Sequence, residues 1–362
     1  MQIESYNRRQ LREFIESDFF KKSDKIPISH HRALSHTHNP DCADDDILLW
    51  VAYDNDSLVG YAGVLPGMCR LNGIDEKIYW LSCFWVDEPY RKRNMASLLF
   101  FQLTREYKER LFISNFVPAL EKTYQSIGIF QPTVRKTGYR FYVRFCFSEI
   151  VAARTAPMIS LLKPVSRCID NFLNLFFEVR VLFYKKLKED FKVVEDCCFD
   201  GKFQSLIDSF RTEESYIKRD SAHFDWILNT PWILQGKPDK DSQRYFFSSR
   251  SSQFKYCSLK IYENEDLLGY VLLKIRDRSL TVSYLYANDR IITDIAAHIL
   301  KKANEEKLKT ITVFDKRLSD EIRKNRSRYI FSKEVKQLYI VAKEIDITSF
   351  SFQDGDGDGV FT

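Results

Sequence analysis

Glycine is scarce in this chain, and its scarcity limits the phosphate-binding loops that the chain can form. Only 12 of the 362 residues are glycine, whereas average usage is about 7%. The sequence contains neither the G-x-x-x-x-G-K-[ST] loop of P-loop NTPases nor the G-x-G-x-x-G turn that binds a dinucleotide. We therefore expect neither a P-loop NTPase nor an ordinary NAD-dependent enzyme.

Length and composition predict about two domains, at roughly 150 residues each. The chain is 44% hydrophobic and contains 29 Phe, 19 Tyr and 5 Trp, enough to fill two cores, so we expect little disorder. Its formal net charge is +5, which is weak for a dedicated nucleic-acid binder. A polyanionic small molecule fits this charge balance better, and we expect no nucleic-acid partner.

The cysteines indicate neither a metal site nor a disulfide framework. All eight are scattered without C-x-x-C spacing, as expected of reduced thiols. Residues 1–12 are polar and contain no apolar segment typical of a signal peptide. We expect a cytoplasmic protein with no metal cofactor.

Residues 1–152 have the pattern of one α/β domain. The apolar runs 47–53 and 58–64 flank Asp54-Asn55-Asp56 and predict a β-hairpin. A strand is predicted at 77–86 and an amphipathic helix at 97–110, then an apolar run at 111–117. A helix starting at Pro118 ends before Gly128, and alternating residues 139–147 predict a last strand.

Residues 153–200 are predicted to form a helical connector. Their apolar residues are interrupted by charges, and they contain no run of 18 uncharged apolar residues that would span a membrane. The alternative is an amphipathic helix lying on a membrane surface, which the basic residues Lys185, Lys186 and Lys188 keep open. We favour the connector and consider a membrane partner the less favoured reading.

Residues 201–350 repeat the pattern of the first domain. Leu267-Leu268-Gly269-Tyr270 follows an acidic turn, as Leu58-Val59-Gly60-Tyr61 does. Further strands are predicted at 280–286, 310–314 and 337–343, with a helix at 292–305. The repeated order of elements predicts an internal duplication, followed by a Gly/Asp tail at 351–362.

The stretch 86–99 carries the clearest chemical signal. A strand ends at Val86, a basic turn follows, and a helix opens near Ser97. Backbone N–H groups at such a turn and the positive end of the helix dipole form an anion site. Arg91, Lys92 and Arg93 add positive charge, so we expect a pyrophosphate to bind here. The alternative is a basic loop that is solvated and binds no ligand.

This stretch resembles the GNAT (GCN5-related N-acetyltransferase) family, whose acetyl-CoA motif is written [QR]-x-x-G-x-[GA] after V-x-P-x-Y. Arg91, Asn94 and Ala96 occupy the three marked positions, with Tyr90 at the expected spacing. Two departures are that Pro89 lies one residue later than usual and that Asn94 replaces the first glycine. Asparagine is one of the few other residues that tolerate a left-handed backbone.

A second similarity to the family lies at 115–130. Tyr124 stands four residues before Gly128, as the general-acid tyrosine of the family does, and Asn115 and Phe130 lie near the other marked positions. The alternative for Tyr124 is a partly buried helix tyrosine with no chemical role.

The resemblance implies direct transfer of an acyl group from acetyl-CoA, or another acyl-CoA, to an amine. Tyr124 would protonate the departing thiolate, and the strand end around Trp85 would pair with the pantetheine arm. It also implies two domains, each a mixed, mostly antiparallel sheet flanked by helices. The implied CoA-binding residues are Trp85, Val86, Arg91, Lys92, Arg93, Asn94, Met95, Ala96, Ser97 and Asn115.

The general base is not identified, because residues 77–86 carry no carboxylate. Asp87 and Glu88 are expected to be solvated. The histidines at 30, 31, 36 and 38 have a suitable pKa, in a stretch that we expect to form a loop over the acceptor site, and surface or capping roles are the alternative.

The second half lacks a basic turn at 286–291, so we expect a degenerate copy that binds no CoA and completes the acceptor cleft. The aromatic residues at 224–232 suit core packing or a sugar-stacking wall. In the tail, Asp354, Asp356 and Asp358 match the start of a calcium loop, but the glutamate at its twelfth position is missing. We expect a flexible or docked tail, the alternative being one that recognises the acceptor.

The leading hypothesis is thus a tandem acyltransferase whose acceptor is a small-molecule amine or an amino sugar. The alternatives are a catalytically inert binding or scaffold protein with the same fold, and a peripheral membrane protein. The sequence does not name the acceptor or the oligomeric state.

Overall fold

The computed structural model describes residues 1–149, 163–182, 191–211, 215–345 and 350–362. The strands are β1 Gln2–Asn7, β2 Ile47–Asp54, β3 Ser57–Leu71, β4 Ile74–Val86, β5 Leu111–Ser114, β6 Val134–Tyr142, β7 Lys192–Glu195, β8 Ser215–Ile217, β9 Leu234–Gln235, β10 Arg250–Ser251, β11 Phe254–Glu263, β12 Asp266–Arg276, β13 Ser279–Tyr286, β14 Thr310–Val313, β15 Phe331–Val341 and β16 Phe350–Ser351.

The α-helices follow the same chain order. They are α1 Arg8–Glu16, α2 Asp18–Lys22, α3 His30–His38, α4 Glu88–Arg91, α5 Met95–Tyr107, α6 Glu121–Ser126, α7 Lys163–Leu182, α8 Gly201–Ser209, α9 Ser221–Asn229, α10 Lys240–Arg244, α11 Ile292–Glu305 and α12 Lys316–Lys324. The fold is therefore mixed α/β with mostly antiparallel sheet flanked by helices, which confirms the predicted fold class.

The chain divides into two compact units that each draw on separate stretches of sequence. The first unit comprises residues 1–136, 197–255 and 337–362, and the second comprises 137–196 and 256–336. The predicted bounds 1–152, 153–200, 201–350 and 351–362 follow the chain without interruption, and they stay a prediction.

The first unit is built on a sheet of strand order β1-β2-β3-β4-β5-β15. All of its neighbours are antiparallel except β4 and β5, which run parallel. The β2–β3 turn lies where the sequence predicts it: Asn55 and Asp56 have φ of 47° and 62°, as a two-residue hairpin turn of the primed type requires.

Two apolar layers cover the faces of this sheet. On one face, Leu99 and Leu103 of α5 are fully buried against Leu81 and Val86 of β4. Helices α1 to α3 cover the opposite face, where Cys83 belongs to a second core cluster. Each fully buried leucine contributes about 2 kcal/mol, so α5 is held firmly by the face that it covers.

The second unit repeats the order hairpin, strand, helix, strand. Its sheet has the order β6-β14-β13-β12-β11-β7, with β13 and β14 parallel. Helix α11 occupies the predicted residues and buries Ile295 and Ile299 in the core of this unit.

The two L-x-G-Y segments have the same local packing. A Cβ on Gly60 would lie 3.2 Å from the carbonyl oxygen of Trp85, and a Cβ on Gly269 would lie 3.0 Å from that of Tyr286. Each glycine therefore permits close approach of the strand that precedes the turn of its unit. This parallel supports the predicted duplication, which remains a prediction.

Some predicted elements need correction. The strand predicted at 139–147 is β6, Val134–Tyr142, because Asp170 and Asn174 of α7 bond the backbone of residues 145–148 and remove it from a ladder. The helix predicted at 97–110 begins two residues earlier, at Met95. The strand predicted at 337–343 is β15, Phe331–Val341.

The predicted connector is helical only in part of what the structure describes. Helix α7 covers 163–182, but residues 192–195 form β7 and pair with β11. Residues 150–162 and 183–190, including Lys185, Lys186 and Lys188, lie outside the described residues. Among the helices that are described, none is long and apolar enough to cross a bilayer.

Candidate active site

The segment between β4 and α5 is a tight basic turn that ends in a left-handed residue. Helix α4 ends at Arg91, residues 92–94 form the turn, and α5 begins at Met95. Asn94 has φ 58° and ψ 15°, inside the left-handed region that asparagine tolerates better than most residues. The exchange of glycine for asparagine at this position therefore preserves the turn.

The N-terminus of α5 presents amides without a side-chain cap. Asn94 makes no capping hydrogen bond, and the Leu98 N–H donates to the Asn94 carbonyl at 3.0 Å. The N–H groups of Met95, Ala96 and Ser97 precede that bond and have no acceptor inside an α-helix. Because the helix dipole adds positive potential there, these amides can bind an anion.

The three predicted basic residues are all exposed around this turn. Arg91 Nε donates to the Val86 carbonyl at 3.0 Å, so its side chain lies along the end of β4. The guanidinium of Arg93 lies over the Tyr90 ring, 5.2 Å from its centroid. The turn thus carries three cations next to the free end of α5.

Strands β4 and β5 separate in the part of the sheet that precedes the same turn. Their described pairing ends at Leu81 opposite Ile113, and β4 continues beside β3 to Val86. Trp85 and Val86 therefore lie beyond the point of separation, as we expected for residues whose backbone would pair with an extended ligand. The Val86 carbonyl is already bonded to Arg91, so it is not open to such a ligand in this arrangement.

A buried hydroxyl that sequence reasoning missed lies at the start of this gap. Ser82 is the extra residue of a β-bulge between Leu81 and Cys83. Its Oγ is buried and has no hydrogen-bond partner among the described residues, and its carbonyl accepts a bond from Arg32 Nη2 at 2.8 Å. An unsatisfied buried hydroxyl is a place where a ligand group or a water would be held.

Tyr124 lies beneath α5 in an aromatic cluster. Its ring centroid is 5.5 Å from that of Phe100 and 5.6 Å from that of Phe116. Burial raises the pKa of Tyr124 to about 12, so the hydroxyl is protonated at neutral pH. No described residue hydrogen-bonds this hydroxyl, which is therefore able to donate to a ligand.

Asn115, which we expected to bind CoA, contacts a segment near the end of the chain. It follows β5 with a left-handed φ of 52°. Its Nδ2 lies 3.5 Å from Asp358 Oδ1, and its Oδ1 lies 3.4 Å from Gln337 Nε2. Among the described residues, no hydrogen bond joins it to the turn at 91–97, so the structure places Asn115 against the end of the chain instead.

That partner is residues 353–361, which we call the Asp-Gly segment. Asp358 is buried and its Oδ1 accepts from Ser114 Oγ at 3.2 Å, at the last residue of β5. Gly357 has φ 67°, and a Cβ there would lie 2.7 Å from Cε3 of Trp80. The segment therefore packs closely over β4 and β5, and its glycines permit that approach.

An aromatic anchor holds the Asp-Gly segment in place. Phe361 is fully buried, stacks on Trp232 at a centroid distance of 4.5 Å, and meets Trp226 edge-on at 4.8 Å. Burying one phenylalanine contributes roughly 2–3 kcal/mol. The tail is thus docked in this structure, and the aromatic residues for which we considered a sugar-stacking wall pack against it as core.

The histidines predicted to form a loop lie on a helix, α3, instead. His36 is fully buried beside Arg32, whose guanidinium lies 3.9 Å from the centroid of the Trp232 ring. Burial lowers the pKa of His36 well below its usual value. His31 is bonded to the Trp232 carbonyl at 2.7 Å, so these two rings are packing elements of the unit.

Arg32 is a second buried group that the sequence did not single out. It donates to the Tyr245 hydroxyl at 3.1 Å and to the Ser82 carbonyl, and it interacts electrostatically with Asp358. A cation and a carboxylate thus lie near the point where β4 and β5 separate. Only the absence of a carboxylate from residues 77–86 hinted that one would come from elsewhere in the chain.

The corresponding turn of the second unit is organised differently. Arg317 Nη1 donates to the Ala287 carbonyl at 2.9 Å and bonds Asp289, and Arg290 is paired with Glu263. The one basic residue of 286–291, Arg290, is thus engaged in an ion pair, and the lack of a phosphate site at this turn stays a prediction.

The described residues contain no group of three or more His, Cys, Asp or Glu side chains placed to hold a metal ion. This includes Asp354, Asp356 and Asp358, whose spacing is like the start of a calcium loop.

Comparison with known proteins agrees with the resemblance noted in the sequence. Residues 9–128 match the model of the acetyltransferase (GNAT) family. That match contains the turn at 91–97 and Tyr124. No curated protein matches the chain.

Several solved structures match the chain. A conserved protein of unknown function from Enterococcus faecalis V583, described as a probable N-acyltransferase, is 10% identical with a TM-score of 0.54, over 94% of this chain and 73% of that one. A GCN5-related N-acetyltransferase from Kribbella flavida is 12% identical with a TM-score of 0.48, over 93% and 71%. At such identities the Enterococcus structure supports the fold alone.

Proposed function

We propose, from the match of residues 9–128 to the acetyltransferase (GNAT) family model, that the chain is an acyl-CoA-dependent N-acyltransferase. The expected donor is acetyl-CoA or another acyl-CoA, and the expected acceptor is the amine of a small molecule or an amino sugar. The second unit is proposed to be a copy that binds no CoA.

One observation carries this proposal. The uncapped amides of Met95, Ala96 and Ser97 follow the part of β4 that continues to Val86 beyond its last pair with β5 at Leu81, behind a left-handed Asn94 and three exposed cations. A pyrophosphate bound at those amides would lead an extended pantetheine arm into the gap between the strands. Ser82 directly follows the last β4–β5 pair and its hydroxyl is unsatisfied, so a ligand group close to it would find an open hydrogen-bond partner.

The proposed reaction requires that the acceptor amine lose a proton and that the negative charge on the departing thiolate be stabilised. The acceptor nitrogen attacks the thioester carbonyl, the new C–N bond forms, and the C–S bond breaks with its electron pair on sulfur. Tyr124, protonated because its pKa is about 12, would donate a hydrogen bond to that sulfur. Full transfer of its proton would be unfavourable, because a thiol has a pKa near 8.5, so solvent completes the protonation.

Asp358 is our candidate for the group that receives the proton of the acceptor amine. It is a buried carboxylate bonded to the last residue of β5, and residues 77–86 provide none of their own. Because a carboxylate also attracts an ammonium, the same position would favour a cationic acceptor. Asn115, predicted to bind CoA, would instead help to position this carboxylate.

Calorimetric titration with CoA tests the binding part of the proposal. The wild-type chain should bind CoA, and Arg91→Glu plus Arg93→Glu should weaken binding at least tenfold. Arg105→Glu plus Arg110→Glu makes the same change of charge near the far end of α5 and should leave binding nearly unchanged. No binding by the wild-type chain, or equal binding by both double variants, would contradict the proposal.

The second candidate is an inert binding protein that keeps the fold. It is favoured by Asn94 at a position where the family motif has glycine and by the absence of a carboxylate from residues 77–86. A thiol-release assay across a panel of amines and amino sugars separates the two. Turnover that Tyr124→Phe reduces supports the enzyme, and CoA binding without any turnover supports the inert protein.

A further inference from the structure

Helix α7 presents its apolar side chains to solvent. Six large hydrophobic residues on it are between 42% and 72% exposed: Val165, Ile169, Phe172, Leu175, Phe176 and Val179. Five of them recur at intervals of four and three residues, which places them in one stripe along the helix. A contiguous apolar patch on the surface of a protein is often functional.

The opposite face of α7 fixes this orientation through polar bonds. Asp170 accepts the N–H groups of Phe147 and Ser148 at 2.9 and 2.8 Å. Asn174 accepts the N–H of Phe145 at 2.8 Å and donates to its carbonyl at 3.0 Å. Both side chains are buried, so a rotation that hid the apolar stripe would leave these backbone groups unsatisfied.

The two carboxylates of α7 bond the protein, since Asp170 holds the loop and Glu178 bonds Arg144 at 2.6 Å. Arg167 is exposed. Apart from these two carboxylates, all charged residues in the sequence from 163 to 188 are basic: Lys163, Arg167, Arg180, Lys185, Lys186 and Lys188. The acidic pair Glu189-Asp190 follows.

We propose that α7 is a membrane-docking surface that inserts its apolar stripe into the headgroup region of an anionic lipid bilayer. Exposed Phe and Leu side chains in a segment whose sequence is rich in basic residues suit an interfacial helix, and basic residues near a membrane attract anionic headgroups. The helix lies along the membrane and does not cross it, in keeping with the lack of a spanning helix among those described.

A second copy of the chain fits this face less well. A 20-residue helix is about 30 Å long, so a stripe roughly 10 Å wide offers roughly 300 Å² to a partner. A stable protein interface needs about 800 Å² from each side. The stripe is therefore too small to form a stable dimer alone, whereas binding to a bilayer needs no complementary protein surface and increases with the apolar area that is buried.

Co-sedimentation of the full chain with vesicles tests the proposal. We expect binding to vesicles of phosphatidylcholine with 30% phosphatidylglycerol, weaker binding to phosphatidylcholine alone, and release by high salt. Phe172→Ser plus Phe176→Ser should reduce the bound fraction at least tenfold. Ile74→Ser plus Phe101→Ser, which alters two exposed apolar residues of the first unit, should bind like the wild type.

The outcomes that overturn the proposal are distinct. One is a wild-type chain that stays in the supernatant with both vesicle types, and another is equal binding by the two double variants. A third is a wild-type dimer, measured by light scattering after size exclusion, that Phe172→Ser plus Phe176→Ser converts to a monomer, which assigns the stripe to a second copy. None of these readouts depends on CoA binding, so this inference and the proposed function fail separately.

Discussion

Ser114 Oγ lies 3.2 Å from Asp358 Oδ1, so the last residue of β5 is hydrogen-bonded to a carboxylate 244 positions further along the chain. The bond is buried, and it places an acidic side chain where β4 and β5 separate. Arg32 interacts electrostatically with the same carboxylate, and we propose that Asp358 acts on the acceptor.

Asp358→Asn should reduce kcat by about 100-fold, the lower range for loss of a general base. The amide keeps the shape of the carboxylate but cannot take a proton, so the acidic limb of the kcat profile should flatten, while CoA affinity is unchanged. Steady-state kinetics between pH 5 and 9 check both effects. Asp354→Asn, in the same segment, is the control and should stay within twofold of the wild type.

Equal kcat for Asp358→Asn and Asp354→Asn would remove the proposed role of Asp358. A loss of kcat with an unchanged pH profile would reduce it to a positioning residue.

Asn94→Val should destabilise the turn before α5. A left-handed backbone costs a residue with a Cβ about 1–2 kcal/mol, and a β-branched side chain is less tolerant than asparagine. We expect a lower midpoint of thermal unfolding and weaker CoA binding, whereas Asn94→Gly should bind CoA at least as well as the wild type.

The matched control is Asn72→Val, since Asn72 also has a left-handed φ, 48°, in the β3–β4 turn. It should lower thermal stability without changing CoA affinity. If Asn72→Val weakened CoA binding as much as Asn94→Val, the effect at Asn94 would be one of general stability.

Local signals in the sequence were sufficient to predict much of the fold. The Asp54-Asn55-Asp56 turn, helix α11 at 292–305 and the left-handed Asn94 are all dictated by residues close in sequence. The alternating pattern at 139–147 predicted the wrong end for this strand. The pattern does not show that the side chains of Asp170 and Asn174 bond the backbone of 145–148. A tertiary contact decided where that strand ends.

The candidate site was predictable only where one short segment forms it. Arg91 to Ser97 follow a recognisable motif, and the structure brings them to the N-terminus of α5. Asp358 and Arg32 reach the site from opposite ends of the chain, and no spacing in the sequence links them to Ser114 or Ser82. The orientation of α7 was hidden as well, because periodicity shows that a helix has an apolar side but not which way that side faces.

Tyr124→Phe should lower kcat about 10- to 100-fold and leave CoA affinity nearly unchanged, because the hydroxyl is proposed to stabilise the departing thiolate only as the C–S bond breaks. Since the pKa of Tyr124 is raised to about 12, it stays protonated through neutral pH, and the kcat profile below pH 9 should keep its shape. Single-turnover thiol release measures the step directly.

Tyr107→Phe is the control for that substitution. Tyr107 is also buried, and its hydroxyl donates to the Ile47 carbonyl at 2.6 Å. Removing this bond should cost about 1 kcal/mol of stability and leave kcat unchanged. A larger loss of kcat in Tyr107→Phe than in Tyr124→Phe would contradict the role given to Tyr124.

His223 should make the stability of the chain depend on pH. It is buried between two carboxylates, with Nε2 2.9 Å from Asp41 and Nδ1 2.7 Å from Asp220. Burial opposes its charge, but the hydrogen bonds to both carboxylates outweigh burial and raise the pKa of His223 above its usual value. The same contact, opposed by burial, lowers the pKa of Asp220.

These shifts define a pH window of greatest stability. A raised histidine pKa stabilises the fold fully below about pH 6.5, and the contribution is lost as pH rises through the higher pKa of the folded state. A lowered aspartate pKa stabilises it above about pH 4, and that contribution is lost as pH falls towards the lower pKa of the folded state. The contributions of this pair should therefore be greatest between about pH 4 and 6.5.

Urea unfolding at pH 5.5 and pH 8.5 measures this effect. The wild type should lose stability at the higher pH, and Asp41→Asn, which removes one partner of a buried pair, should cost about 3 kcal/mol at pH 5.5 and less at pH 8.5. His38→Gln, an exposed histidine on α3, should keep the wild-type dependence. An equal cost of Asp41→Asn at both pH values would mean that His223 is neutral in the folded chain and that the contact is an ordinary hydrogen bond.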